Sequence, residues 1–320
     1  MSRVLITGIA GFAGSYLAEE LVDGGFDVYG TRIRGESTAN LSRVKSRITV
    51  CTLEIRSRQS CERLMHDIRP QVVFHLAAFS DVGASFIDPA LVMQINFGGT
   101  LNLLEAVRES KAAAKALQVF INVGSSDMYG RVKPAELPLN ENQPLRPVSP
   151  YGISKAAADF LCATYHQAYG LPIIRVRAFN HAGPRQRPGF VIPDMAGRIA
   201  RLERKGGQRV LKTGNLSARR DFTDVRDVAQ AYRVIAQRGK PGEIYHIGSG
   251  KAVSIQTIVD MLVGMAHRPI VITPGAGSAR PIDVPVLQAD ITKLKKLGWQ
   301  PRIVLQKTLS DTLEYYRSRI

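Results

Sequence analysis

The chain has 320 residues, 45% of them hydrophobic and 22% charged, a balance that supports a packed core and excludes a disordered, charge-dominated chain. Lys and Arg number 43 against 27 Asp and Glu, a net charge of +16 that attracts anions; yet no run of five or more basic residues occurs and aromatics are only 7%. This points away from nucleic acid and toward a phosphate-bearing small ligand. No apolar stretch reaches the length of a membrane span, so no membrane partner is expected. The opening MSRVLITG lacks the core of a signal peptide. The three cysteines, Cys51, Cys61 and Cys162, contain no CxxC pair, which leaves neither a disulfide scaffold nor a zinc site. A reducing cytoplasm is the expected compartment.

Along the chain, apolar runs predict strands at 3–7, 26–31, 48–53, 71–76, 117–123 and 172–178. Helical spacing predicts helices at 12–24, 58–69, 98–111 and 151–169 between them. Alternation of this kind predicts a parallel sheet with helices on both faces, and the near-continuous apolar strands fit burial on both sides. After about residue 179 Pro and Gly rise, as in HAGPRQRPG and TPGAGSARP. Helices at 190–204, 226–238, 254–266 and 305–318 then alternate with short strands near 209–212 and 243–247. We expect a first domain over 1–178 and a smaller α/β domain over 179–320, with the chain crossing back into the first around 210–250.

The first predicted strand runs into Thr7-Gly8-Ile9-Ala10-Gly11-Phe12-Ala13-Gly14. Gly8 suits a tight turn, Gly11 lets backbone approach a pyrophosphate, and Gly14 allows close helix–strand contact. The helix that starts here aims its free N–H groups at the phosphates. At the end of the second strand an acid would hold the ribose hydroxyl of NAD. The segment here carries Arg32 and Arg34 instead, which suit a 2′-phosphate. The expected cofactor is therefore NADP(H), with NAD(H) as the alternative. Glu54, after the third strand, is a candidate for the adenine amino group, with Ile55 beside it.

Pro150 precedes Tyr151-Gly152-Ile153-Ser154-Lys155, a YxxxK on a predicted helix. The i, i+4 spacing puts both side chains on one face. An ammonium near the phenol is expected to lower its pKa and to suit it for proton exchange while hydride moves. The fifth strand ends in Val123-Gly124-Ser125-Ser126-Asp127, which places Ser125 where open α/β sheets bind ligands. His75 reads as a packed residue. The remaining histidines form no HxxxH or HExxH, so no metal is expected.

Taken in order, TGxxGFxG, His75-Leu76-Ala77-Ala78, the Ser125 segment and YxxxK resemble the extended short-chain dehydrogenase/reductases that act on nucleotide sugars. The second half is similar too, through Phe179-Asn180-His181-Ala182-Gly183-Pro184, Gly214-Asn215-Leu216, Arg220-Asp221-Phe222, Arg280-Pro281-Ile282-Asp283-Val284 and Leu297-Gly298-Trp299. The resemblance implies a Rossmann-type doubly wound sheet with an interleaved substrate domain, and a homodimer through a helix pair that includes 151–169. It implies hydride-transfer roles for Ser125, Tyr151 and Lys155. Gly8, Gly11, Phe12, Ala13 and Gly14 would hold the pyrophosphate. Leu76, Ala77, Ala78, Asn96, Val123 and His181 would serve the dinucleotide. Ser80, Ser125, Asp127, Asn180, Arg185, Val191, Asn215, Arg220, Arg280 and Asp283 would surround the nucleotide sugar.

Within that group the chain resembles the GDP-mannose 4,6-dehydratases and their reductase sister, the GDP-6-deoxy-4-ketohexose reductases. A dehydratase needs a base that reaches sugar C5, and the resemblance places a Glu at the position of Asp127, one methylene longer. It also places a Lys where this chain has Asp194. Both departures favour reduction of a GDP-4-keto-6-deoxyhexose, GDP-4-dehydro-6-deoxy-D-mannose to GDP-D-rhamnose. Dehydration of GDP-mannose is the alternative, a 4-epimerase is a weaker one, and a cofactor-binding regulator without turnover is the reading from another class.

Overall fold

The computed structural model describes residues 2–275 and 284–320. Strands β1 (Arg3–Thr7), β2 (Asp27–Arg32), β3 (Ile48–Thr52), β4 (Val72–His75), β5 (Val119–Ser125) and β6 (Ile173–Ala178) alternate with helices α1 (Phe12–Asp23), α2 (Arg58–Ile68), α3 (Pro89–Met93), α4 (Gly99–Glu109), α5 (Lys111–Ala116) and α6 (Pro150–Tyr169). A π-helical turn over Gln94–Gly98 joins α3 to α4. Thereafter come β7 (Asn180–Ala182), α7 (Val191–Arg204), β8 (Val210–Thr213), β9 (Arg219–Asp224), α8 (Val225–Arg238), β10 (Ile244–Ile247), β11 (Ala252–Ser254), α9 (Ile255–Gly264), β12 (Val271–Pro274), β13 (Val286–Leu287), α10 (Thr292–Lys295) and α11 (Leu305–Arg317).

The main sheet has seven strands in the order β10-β6-β5-β4-β1-β2-β3, all parallel. Its central strands are buried on both faces: Val4, Ile6, Phe74 and Ile121 belong to one core cluster, and Leu5, Val73 and Phe120 to another. Each such side chain contributes about 1.5–3 kcal/mol on burial. This is the doubly wound α/β sheet that the alternation predicts. Strand order reverses between β1 and β4, and in such sheets ligands bind outside the carboxyl ends at that point. Thr7 pairs with His75 and Thr31 there, and Ser125 pairs with Ala178. Gly8, Arg32, Leu76 and Ser125 therefore emerge along one edge.

A separate cluster forms beyond that edge around Ile192, Ile199, Leu211, Ile258, Leu262, Leu309 and Leu313. Helices α7, α9 and α11 supply it, with β9 set between β11 and β13. Strand β9 contains Arg219, Arg220, Asp221 and Asp224, so its pattern carries no apolar signal. It is buried because Asp221 accepts from the backbone N–H groups of Ser249, Gly250 and Ala289 at 2.7–3.1 Å. Among the described residues no helix is long and apolar enough to cross a membrane.

Candidate active site

The turn after β1 closes on itself, with Gly11 N donating to Gly8 O at 3.1 Å. Gly8 has φ +72°, and a Cβ there would stand 3.0 Å from Ala77 Cα. A Cβ on Gly14 would stand 2.3 Å from Gly8 O. Only glycine allows helix and loop to pack this closely. Helix α1 starts at Phe12 with Gly11 as N-cap, so no side chain caps its first N–H groups. A bare helix start behind a backbone-lined cradle fits a dinucleotide pyrophosphate.

From this cradle a single cleft of about 1870 Å³ runs to α7. Pockets for one small ligand span about 300–1,000 Å³, so the space suits two ligands together. Gly8, Gly11, Phe12, Ala13, Gly14, Arg32, Arg34, Glu54, Ile55, Leu76, Ala77, Ala78, Val123 and His181 line one part of it. Ser80, Asp127, Asn180, Arg185, Val191, Asn215 and Arg220 also line it, as do Ser125, Tyr151 and Lys155. Arg280 and Asp283 lie outside the described residues.

Helix α6 presents Tyr151 and Lys155 to the cleft. Ser149 caps it by accepting from Gly152 N at 3.0 Å, Pro150 fills its first turn, and Gly170 ends it in a left-handed conformation. A Cβ on Gly152 would meet Asp127 O at 2.8 Å, so the helix sits hard against the turn after β5. Ser125 Oγ donates to Asp127 Oδ2 at 3.1 Å and accepts from Asp127 N at 3.2 Å. Burial, with Asp127 nearby, pushes the Tyr151 phenol above its ordinary value; a hydrogen bond with Ser125 draws it partly back. This corrects the expectation of a phenol acidified by Lys155. The Lys155 ammonium instead donates to Val123 O at 2.7 Å, and burial pulls it down to about 8.

One further expectation changes. Asn96 does not line the cleft. It is buried, accepts from Phe79 N at 2.7 Å, and donates to Phe79 O at 3.1 Å and Ser154 Oγ at 2.9 Å. It pins the loop at Phe79 to α6 at Ser154. Arg185, expected at the sugar, lines the cleft with its guanidinium toward α1, where it pairs with Glu19 at 2.8 Å. Glu54 lines the cleft but is held by Arg56 through two side-chain hydrogen bonds of 2.7 and 2.8 Å, which pull its pKa to about 2. Arg32 donates to Glu36 O at 2.9 Å. Arg220 donates to Arg219 O at 2.9 Å.

His75 is packed, as expected. Its Nδ1 meets Thr7 Oγ1 at 2.8 Å and its Nε2 meets Thr100 Oγ1 at 3.0 Å. Burial, then the charge of Lys155, hold its pKa down at about 3, so the ring is neutral. His181 stacks on Phe12 with ring centroids 5.8 Å apart, and burial lowers its pKa as well. Asn40, Arg56, Arg187, Phe190 and Tyr232 also line the cleft. Phe190 opens the stretch that ends at Asp194; the other four lie in no motif, and only the three-dimensional neighbourhood reveals them.

The family described as GDP-mannose 4,6 dehydratase matches residues 5–312. GDP-6-deoxy-D-mannose reductase of Pseudomonas aeruginosa is 33% identical over 252 residues, 78% of this chain and 82% of that one. GDP-mannose 4,6 dehydratase 2 of Arabidopsis thaliana is 32% identical over 317 residues, 95% and 83% of the two chains. The solved structure of RMD from Pseudomonas aeruginosa complexed with NADPH matches over 100% of both chains, at 29% identity and a TM-score of 0.82. Thermus thermophilus UDP-glucose 4-epimerase in complex with NAD matches over 99% of this chain and 100% of that one, at 29% identity and a TM-score of 0.86. With its cleft, its glycine cradle and a family match over nearly its whole length, the chain belongs to the GDP-mannose 4,6-dehydratase family.

Proposed function

We propose that the protein is an NADPH-dependent reductase of the 4-keto group of a GDP-4-keto-6-deoxyhexose, forming GDP-D-rhamnose from GDP-4-dehydro-6-deoxy-D-mannose. The observation that carries this reading is the position of Ser125, Tyr151 and Lys155 in the wall of one cleft that begins at the glycine cradle. When bound, the reduced nicotinamide supplies a hydride for the carbonyl carbon. Tyr151, kept protonated by burial, donates its proton to the carbonyl oxygen. Ser125 donates a hydrogen bond to the same oxygen, and Lys155, one turn along α6, offsets the charge left on the phenol. Arg32 receives the 2′-phosphate. Arg220 faces the nucleotide sugar's phosphates, and the undescribed Arg280 is assigned with it from the sequence.

Two features favour reduction over dehydration. Asp127 stands where the resemblance to the dehydratases implies a Glu, and its carboxylate is one methylene short of that base's reach toward sugar C5. Asp194 accepts from Gly189 N at 2.9 Å and serves the start of α7. A homodimer through α6 is supported by Ile153 and Phe160, seven residues apart on one helix face and 48% and 58% exposed. Three unpaired cysteines fit a reducing cytoplasm.

The test is NADPH oxidation with a GDP-4-keto-6-deoxyhexose supplied by a GDP-mannose dehydratase. We expect oxidation only with the keto sugar, and none with GDP-mannose alone. Conversion of GDP-mannose without net NADPH consumption would replace this reading with the dehydratase.

A further inference from the structure

Arg185 is one of two non-glycine residues with positive φ among the described residues, at +70°, a region that an L side chain occupies only when its surroundings enforce it. The other, Arg69, is the left-handed C-cap of α2; Arg185 ends no helix. Side-chain contacts hold it. Its guanidinium lies 4.4 Å over the Tyr16 ring, pairs with Glu19 at 2.8 Å and donates to Asn40 O at 3.3 Å. The Tyr16 hydroxyl donates to Pro184 O at 3.1 Å, gripping the preceding residue. Asn40 donates its amide to Ala10 O, inside the glycine loop, at 3.1 Å. His181 stacks on Phe12, the first residue of α1.

The stretch 181–185 is thus fastened to the loop and opening turns of α1. Its continuation, including Arg187, Phe190 and Val191, lines the cleft on the way to α7. We infer that Arg185 is a positioning residue that couples the two halves of the cleft. Anchored by Glu19, Tyr16 and Asn40, it holds the glycine loop and the 186–191 stretch in one arrangement, so that a dinucleotide and a nucleotide sugar bind cooperatively. Each ligand contacts one end of this fastened unit, and such coupling is reciprocal. The inference rests on the proposed reading of the cleft as a site for both ligands.

The test uses the full chain without turnover. NADPH is titrated by its fluorescence and GDP by calorimetry, each alone and with the other saturating. In the wild type each ligand is expected to tighten the other by the same factor, about fivefold or more. Arg185→Met and Glu19→Gln are both expected to bring that factor close to one. Arg185→Lys, which keeps a charge for Glu19 without the planar fork over Tyr16, should retain part of it. An unchanged factor in Arg185→Met, or a wild-type factor near one, overturns the inference. Glu19 stands outside the cleft wall, so an unchanged factor in Glu19→Gln would mean direct ligand contact by Arg185 and would equally overturn it. Should Arg185→Met not fold, Glu19→Gln decides alone. Failure of the wild type to bind NADPH or GDP at all would sink the functional reading; independent binding of both sinks only the coupling.

Discussion

Lys155 reaches 32 residues back along the chain to the carbonyl of Val123, at 2.7 Å, and so ties the helix bearing the phenol to the strand bearing Ser125. Burial costs the ammonium part of its hold on the proton, with a pKa near 8 in place of 10.5. The residue is a strut and, in the proposed mechanism, also the charge present when Tyr151 gives up its proton.

The rate should therefore fall with rising pH. As pH passes through about 8 the ammonium is lost, and kcat/KM for the unliganded enzyme is expected to drop along that limb. Lys155→Met should be slow throughout and lack the limb. The effect on stability has the opposite sign. Between about 8 and 10.5 the unfolded chain holds a proton that the folded chain has released, so this residue's contribution to stability rises with pH across that window. A pH series of NADPH-oxidation rates and of urea midpoints checks both.

Tyr151→Phe removes the proton donor and keeps the ring. We expect kcat to fall by about 10²–10⁴-fold while NADPH affinity stays nearly unchanged. Steady-state rates beside a fluorescence titration of NADPH measure the two. Turnover at the wild-type rate in this variant would remove Tyr151 from the chemistry.

Arg32 sits at the end of β2 beside the cleft, its guanidinium already oriented by Glu36 O. A hydrogen bond to a charged group is worth about 1.5–3 kcal/mol. Arg32→Ala should therefore weaken NADPH by roughly 10–100-fold, at about 1.4 kcal/mol per tenfold, and leave NADH little affected. Equal losses for the two dinucleotides would place the 2′-phosphate elsewhere.

Behind the site, Arg177 donates to Asp159 at 3.0 and 3.3 Å and to the Tyr129 hydroxyl at 2.7 Å, and that hydroxyl meets His246 Nε2 at 2.6 Å. All four residues are buried. Arg177→Met leaves Asp159 with Arg175, at 3.1 Å, as its remaining ion-pair partner and should destabilise the fold by about 1–3 kcal/mol. Tyr129→Phe should cost about 1–3 kcal/mol. Urea unfolding at neutral pH gives both values.

The first six strands and helices α1, α2, α4 and α6 are legible because each strand is an apolar run punctuated by glycine or polar turns; the short α3 and α5 are not. Strand β9 is not, since its burial depends on donors from Ser249, Gly250 and Ala289, which no local pattern announces. The same limit governs the site. Spacing reveals Tyr151 and Lys155 as neighbours on α6, but not that the ammonium turns to Val123. Asn96 lies in a recognisable segment, yet its partners Phe79 and Ser154 are 17 and 58 positions away. Arg185 is placed near the nucleotide sugar by resemblance alone, and nothing in the local sequence announces that Ser15 and Glu19, far upstream, lie against it.

Strand β10 re-enters the main sheet beside β6, and Ala289, Ile291, Leu294 and Trp299 return to the same core as β1. The elements around α7 and α9 are thus slung between several moorings instead of hanging from one tether. A wide jaw-like swing would have to peel an edge strand from its ladder. Because α7 and α9 pack in an apolar cluster of their own, sequence change there can reshape that end of the cleft while the packing of β1, β4 and β5 stands.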